Sequence, residues 1–140
     1  ARSASLVVDY AVDLVFRTLL EHTGIVPLTP SRAGARLEHA RLLVQRHLED
    51  VTYSPAQLAD ALGMSRRSLY EVFHQYGTTP ARFIRQVRLE NARSDVLSNG
   101  TDAPTMTEVA LRNGFNDSAS FSRAFRNAFG VTPSALRAAS

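Results

Sequence analysis

Apolar positions recur at helical spacing along the whole chain, and no stretch alternates as a strand does. Over residues 3–22, Leu6, Tyr10, Leu14, Val15, Thr18 and Leu19 share one stripe, with Asp9, Asp13 and Arg17 off it. Thr23-Gly24 reads as a stop, and Pro27, Pro30 and the polar run 31–34 read as a linker. The spacing predicts a second helix over 35–49, burying Leu37, Ala40, Val44 and Leu48. From Ser54 the punctuation is dense. Ser54-Pro55, Ser65, Thr79-Pro80, Thr105, Asp117 and Thr132-Pro133 are start signals, and Gly63, Gly77, Ser98-Asn99-Gly100, Asn113-Gly114 and Gly130 are stops. The expected fold is therefore all-α.

Two stretches repeat. Leu58-Ala59, Gly63-Met64, Ser65, Leu69, Phe73, Tyr76-Gly77 and Thr79-Pro80 match Val109-Ala110, Gly114-Phe115, Asp117, Phe121, Phe125, Phe129-Gly130 and Thr132-Pro133. Each has helix-turn-helix spacing. Ala59 and Ala110 are small where two helices must cross, and Gly63 and Gly114 permit the sharp turn. Leu69 with Phe73, and Phe121 with Phe125, lay the second helix on the first and free its other side for a DNA groove. Between the units the pattern predicts one helix over 80–97. It would be about 27 Å long, against about 34 Å for a turn of B-DNA.

Charge agrees without deciding. The 140 residues carry a net charge of +3, and every one of the 16 basic residues is arginine. Residues 1–50 are neutral and the excess lies in 51–140, which permits nucleic-acid binding. Cysteine is absent, which removes disulfides, thiolate metal sites and thiol nucleophiles. No apolar run is long enough for a membrane span and no signal-peptide layout is present, so a cytoplasmic location is the default expectation. His22, His39, His47 and His74 are scattered, and His39 and His47 are two turns apart, too far to share a metal. No nucleophile–base arrangement or phosphate-loop pattern appears. The chain is expected to be no enzyme and to need no cofactor or metal.

Residues 112–134, R-N-G-F-N-D-S-A-S-F-S-R-A-F-R-N-A-F-G-V-T-P-S, closely resemble the second helix-turn-helix of the AraC/XylS family of transcription regulators. Residues 54–97, with Val87-Arg88-Leu89 and Ala92-Arg93, resemble its first unit and linker helix. The resemblance covers about 36–137. It implies a seven-helix domain whose two units read adjacent major-groove segments, with double-stranded DNA and RNA polymerase as partners and transcription regulation, activation included, as the outcome. It also implies that residues 1–34 are the end of a missing N-terminal domain plus its linker, with 35–140 as the DNA-binding domain. Three positions depart from the family pattern. Glu71 stands where Arg or Lys is frequent, and would face phosphate unfavourably or accept from cytosine N4. Asp95 stands where an apolar or basic residue is usual, and Ala135-Leu136-Arg137 lacks a tyrosine before the arginine.

In unit one, the expected recognition helix is 65–76, and Arg66, Arg67, Ser68, Tyr70, Glu71 and His74 lie on its outward side. In unit two it is 117–129, with Ser118, Ala119, Ser122, Arg123 and Arg126 outward. Alone these arginines would read as solvated charges; inside a paired repeat they read as groove-facing, Arg67 and Arg123 foremost. Ser65, Ser120, Thr79 and Thr132 sit near helix starts, where capping and phosphate binding are compatible. Arg82 and Arg85 read as backbone contacts or surface charges. The competing reading is a helical protein-interaction module that binds no DNA. The stripe over 3–22 needs a partner, and it is expected to pack back on the chain or on a second copy, the latter giving a homodimer. Light scattering should then give a dimeric mass for the full chain and a monomeric one for a chain starting near Ser31; equal monomeric masses exclude the dimer.

Overall fold

The computed structural model describes residues 32–140, with side chains from Gly34 onward; the stripe over 3–22 and the linker before Arg32 lie outside the described residues. Among the described residues there are seven helices and no strand. They are α1 (Arg32–Arg46), α2 (Pro55–Ala61), α3 (Arg66–Gln75), α4 (Pro80–Val96), α5 (Met106–Arg112), α6 (Ser118–Phe129) and α7 (Pro133–Ala139). The starts follow the cap signals. Ser65, Thr79 and Thr132 each accept a backbone N–H three residues on. Thr105 and Glu108 cap each other reciprocally.

The second predicted helix, 35–49, is found three residues earlier at both ends. Ser31, a residue of cap type that the sequence pattern assigned to the linker, directly precedes its start, and its end tightens into turns, His47 N–H donating to the Val44 carbonyl and Asp50 N–H to the His47 carbonyl. Leu48 therefore meets the core from a turn, half-buried, and not from a helix face.

Two hydrophobic cores result. The first joins Ala40, Val44, Leu58, Leu69 and Phe73 with Phe83, Ile84 and Val87 of α4. The second joins Val109, Ala110, Phe115, Phe121 and Phe125 with Leu89, Ala92 and Val96 of the same helix. At 3.6 residues per turn these two triplets of α4 lie on roughly opposite sides of it. The helix is thus a shared wall with one unit on each side. Ala59 and Ala110, expected at the helix crossings, are both fully buried.

A polar row on α4 (Arg88, Asn91 and Asp95, at i, i+3 and i+7) faces the turn of the second unit. Asn113, the buried polar residue there, donates its amide to Asp95 Oδ2 at 3.0 Å and to the Val109 carbonyl at 2.8 Å. Its side-chain oxygen accepts from Asn91 Nδ2 at 2.7 Å. This accounts for the acid at Asp95. Arg88 donates to the Asp50 carbonyl at 2.7 Å, reaching the end of the α1 turn. Arg137 of α7 closes the other end of α4, donating to the carbonyls of Val96 at 2.9 Å, Pro104 at 2.6 Å and Asp95 at 3.2 Å. Arg41 pairs with Glu90 at 2.9 Å and ties α1 to α4.

The two turn glycines differ in a way the repeat hides. Both have positive φ, +65° at Gly63 and +79° at Gly114. A Cβ at Gly63 would meet open space, whereas one at Gly114 would lie 2.7 Å from both the Leu48 carbonyl oxygen and Arg88 Nε. Gly114 is where unit one, the linker helix and unit two come together. Gly63→Ala should therefore cost about 1–2 kcal/mol through its backbone alone, and Gly114→Ala a further ~1–3 kcal/mol of overpacking. Urea unfolding of the two variants checks this; equal losses would show that the junction relaxes freely.

Candidate nucleic-acid interface

Each unit turns its second helix inside out with respect to its core. On α3, Leu69 and Phe73 are 1% exposed and hold the helix on α2 and α4. Arg66, Arg67, Tyr70, Glu71 and His74 are all exposed on the other side. Together with Thr78 and Thr79 they line one shallow concave surface. Arg67 Nε lies 3.5 Å from Glu71 Oε1, one helical turn on. Ser68, placed on the outward set from sequence, is only half-exposed. Its backbone N–H donates to Ser65 Oγ at 3.1 Å and its own oxygen accepts from that hydroxyl at 3.0 Å. Thr78 escaped the sequence reading because it follows the helix stop; its place in the turn between α3 and α4 brings it to the same surface.

On α6, Phe121, Ala124 and Phe125 face inward. Ser118, Ala119, Arg123 and Arg126 are exposed, and Ser122 is half-buried. Asp117 starts the helix by accepting both the N–H and the hydroxyl of Ser120 at 2.7 Å. Ser120 is therefore held by the cap and is not itself the cap. Those bonds from Ser120, with the pull of Arg123, hold the Asp117 carboxyl below its ordinary value.

Tyr70 apart, the aromatic residues stay out of this surface. Phe73 and Phe83 tilt together at 4.9 Å, and Phe115, Phe121, Phe125 and Phe129 form a chain of ring contacts at 5.2, 5.6 and 4.7 Å. Phe129 is half-buried under the Arg93 guanidinium, 5.6 Å from its centroid. Arg82 and Arg85 of α4 are exposed. Arg88, absent from the sequence-derived set, instead works inside. Burial holds its guanidinium below the ordinary arginine value, with Asp50 opposing. His47 stacks flat on Tyr53 at 4.5 Å, and among the described residues no three metal-ligating side chains cluster.

The surface thus consists of two outward helix faces, each bearing arginine and small polar groups, on units braced by one rod. A model of a helix-turn-helix domain matches residues 58–139. The chain belongs to the AraC/XylS family. Among AraC/XylS relatives, the transcriptional activator RhrA of Rhizobium meliloti is 33% identical over 102 residues, which is 73% of this chain and 32% of RhrA. The chain spans about a third of the length of RhrA and of the related activator NphR of a Rhodococcus species. An AraC-type DNA-binding domain protein from Chromobacterium violaceum superposes with a TM-score of 0.68 at 31% identity, over 74% of this chain and 90% of that one. The DNA-binding domain of AdpA, solved with a target DNA, gives 0.64 at 27% identity over the same shares. The AraC/XylS fold, with its two helix-turn-helix units, is therefore the fold of residues 32–140. Among them no helix is long and apolar enough to cross a membrane.

The Asp117 cap supplies a pH prediction. A carboxyl lowered in the folded state contributes stability above its unfolded value, near 3.8, and loses it as pH falls through the folded value. Helicity followed by circular dichroism from about pH 5 downward should fall less steeply in Asp117→Asn, which keeps an uncharged cap. Asp50, lowered by its bonds from Thr52, titrates in the same stretch and remains. Identical acid limbs would remove the cap's role.

Proposed function

We propose that this domain binds double-stranded DNA sequence-specifically and regulates transcription, with α3 and α6 entering successive major grooves. The observation that carries this reading is the disposition of the two second helices. Each buries an aromatic or aliphatic stripe and leaves an arginine-bearing face exposed, and α4 anchors both units. α4 has 17 residues and is about 26 Å long, a rod that matches adjacent groove segments better than a flexible tether would. Base reading falls to Arg67, Tyr70 and His74 on α3, with Glu71 beside Arg67 on the same face, and to Ser118, Ala119, Ser122 and Arg123 on α6. Arg66, Arg126 and the capped starts of the helices serve phosphates. Ser68 contributes through the cap it shares with Ser65. Cytoplasmic location, contact with RNA polymerase and self-association through residues 3–22 belong to the same reading.

Selection from a random duplex library tests it. The full chain should enrich a site with two blocks about one helical turn apart. Arg67→Ala should relax one block and Arg123→Ala the other, each by about 1–3 kcal/mol of discrimination. Log affinity should fall with log salt at about 0.9 per phosphate neutralised. A chain that enriches no duplex and shows no salt dependence is instead the protein-interaction module.

A further inference from the structure

The first unit carries an acid in the middle of a face meant for a polyanion. Glu71 is the one carboxylate among the described residues lining the concave surface of α3. Left alone it would repel phosphate and weaken every complex the surface makes. Its neighbour on the helix is Arg67, and the atom engaged is Nε, 3.5 Å from Glu71 Oε1. The side chains are 90% and 65% exposed, so the pair adds little to stability. Its consequence lies in geometry. With Nε beside the carboxylate, the end-on edge formed by the two Nη groups is left free, and that edge suits the O6 and N7 acceptors of guanine. A long exposed arginine otherwise samples many rotamers, and ordering them on binding costs affinity. A carboxylate one turn along the helix narrows that range beforehand.

We propose that Glu71 is a specificity-determining positioning residue: it aims Arg67, and the two together read one guanine as a unit, Glu71 itself taking no base. This rests on the DNA-binding reading above. The pair is neutral as a whole, so it selects sequence while releasing few counterions, and Arg66 carries the phosphate contact at this end of α3.

The test is duplex selection with the full chain and with Glu71→Ala, Glu71→Gln, Arg67→Ala and the Arg67→Ala/Glu71→Ala double variant, each first checked for an unchanged unfolding midpoint. Glu71→Ala should lose about two- to fivefold of preference at the same base pair that Arg67→Ala relaxes. The double variant should repeat the Arg67→Ala profile and keep the wild-type salt slope. Glu71→Gln, which still offers an oxygen to Nε, should retain more of the preference than Glu71→Ala. Loss at a different base pair from Arg67→Ala would mean that Glu71 reads cytosine directly, and would overturn the proposal. An unchanged site in Glu71→Ala would overturn it equally. Failure of the wild-type chain to enrich any duplex would overturn the DNA-binding reading, and this proposal with it.

Discussion

One helix has to satisfy two hydrophobic cores at once. α4 gives Phe83, Ile84 and Val87 to the first and Leu89, Ala92 and Val96 to the second, on nearly opposite sides. Neither unit can rotate about this rod without withdrawing buried side chains from it. The rod contains no glycine or internal proline to absorb such a movement. The separation and phase of the two outward faces are therefore set by which residues of α4 are apolar, and not by a loop.

Hydrophobic burial alone would leave the second unit free to slide along its side of the rod. The polar row of Arg88, Asn91 and Asp95 supplies the register. A buried amide such as Asn113 is costly unless its donors and acceptor are met, and here three partners meet it. Any shift of the second turn by a residue would strand that amide. Gly114 adds a steric stop beside it, where the Leu48 carbonyl and the Arg88 guanidinium leave no room for a side chain. Specificity of packing at this junction is polar and steric, while its strength is apolar.

Most of the fold could be read from the chain because its signals are local. Caps at Ser65, Thr79, Thr105, Asp117 and Thr132 and stops at Gly63, Gly114 and Gly130 act within a few residues of themselves, so the helices from 55 onward fall within a residue or so of expectation. The first described helix, whose start signal at Ser31 reads equally as part of the polar linker, lies three residues earlier than expected. The outward faces were legible for the same reason, since a helix with one apolar stripe has to turn its other side out. What sequence could not convey was joint occupancy of space. Asn113 and Gly114 read as a helix stop because, the Val109 carbonyl apart, their partners are 18 to 66 residues away in the chain. Asp95 and Glu71 looked anomalous singly, and each is explained by a neighbour: Asn113 for one, Arg67 for the other. Ser68, read as outward, is half-exposed and tied to Ser65, whose hydroxyl both accepts its backbone N–H and donates to its side-chain oxygen.

The three bonds from Arg137 to the carbonyls around the end of α4 bear on where this domain can be cut. The final helix looks like an appendage to the second reading unit. Yet its guanidinium satisfies backbone acceptors 33 to 42 positions earlier, which a shortened chain would expose to solvent or leave bare. Anyone transplanting the second unit into another protein must carry the last turn with it, or the rod will fray at the very end that the graft was meant to borrow.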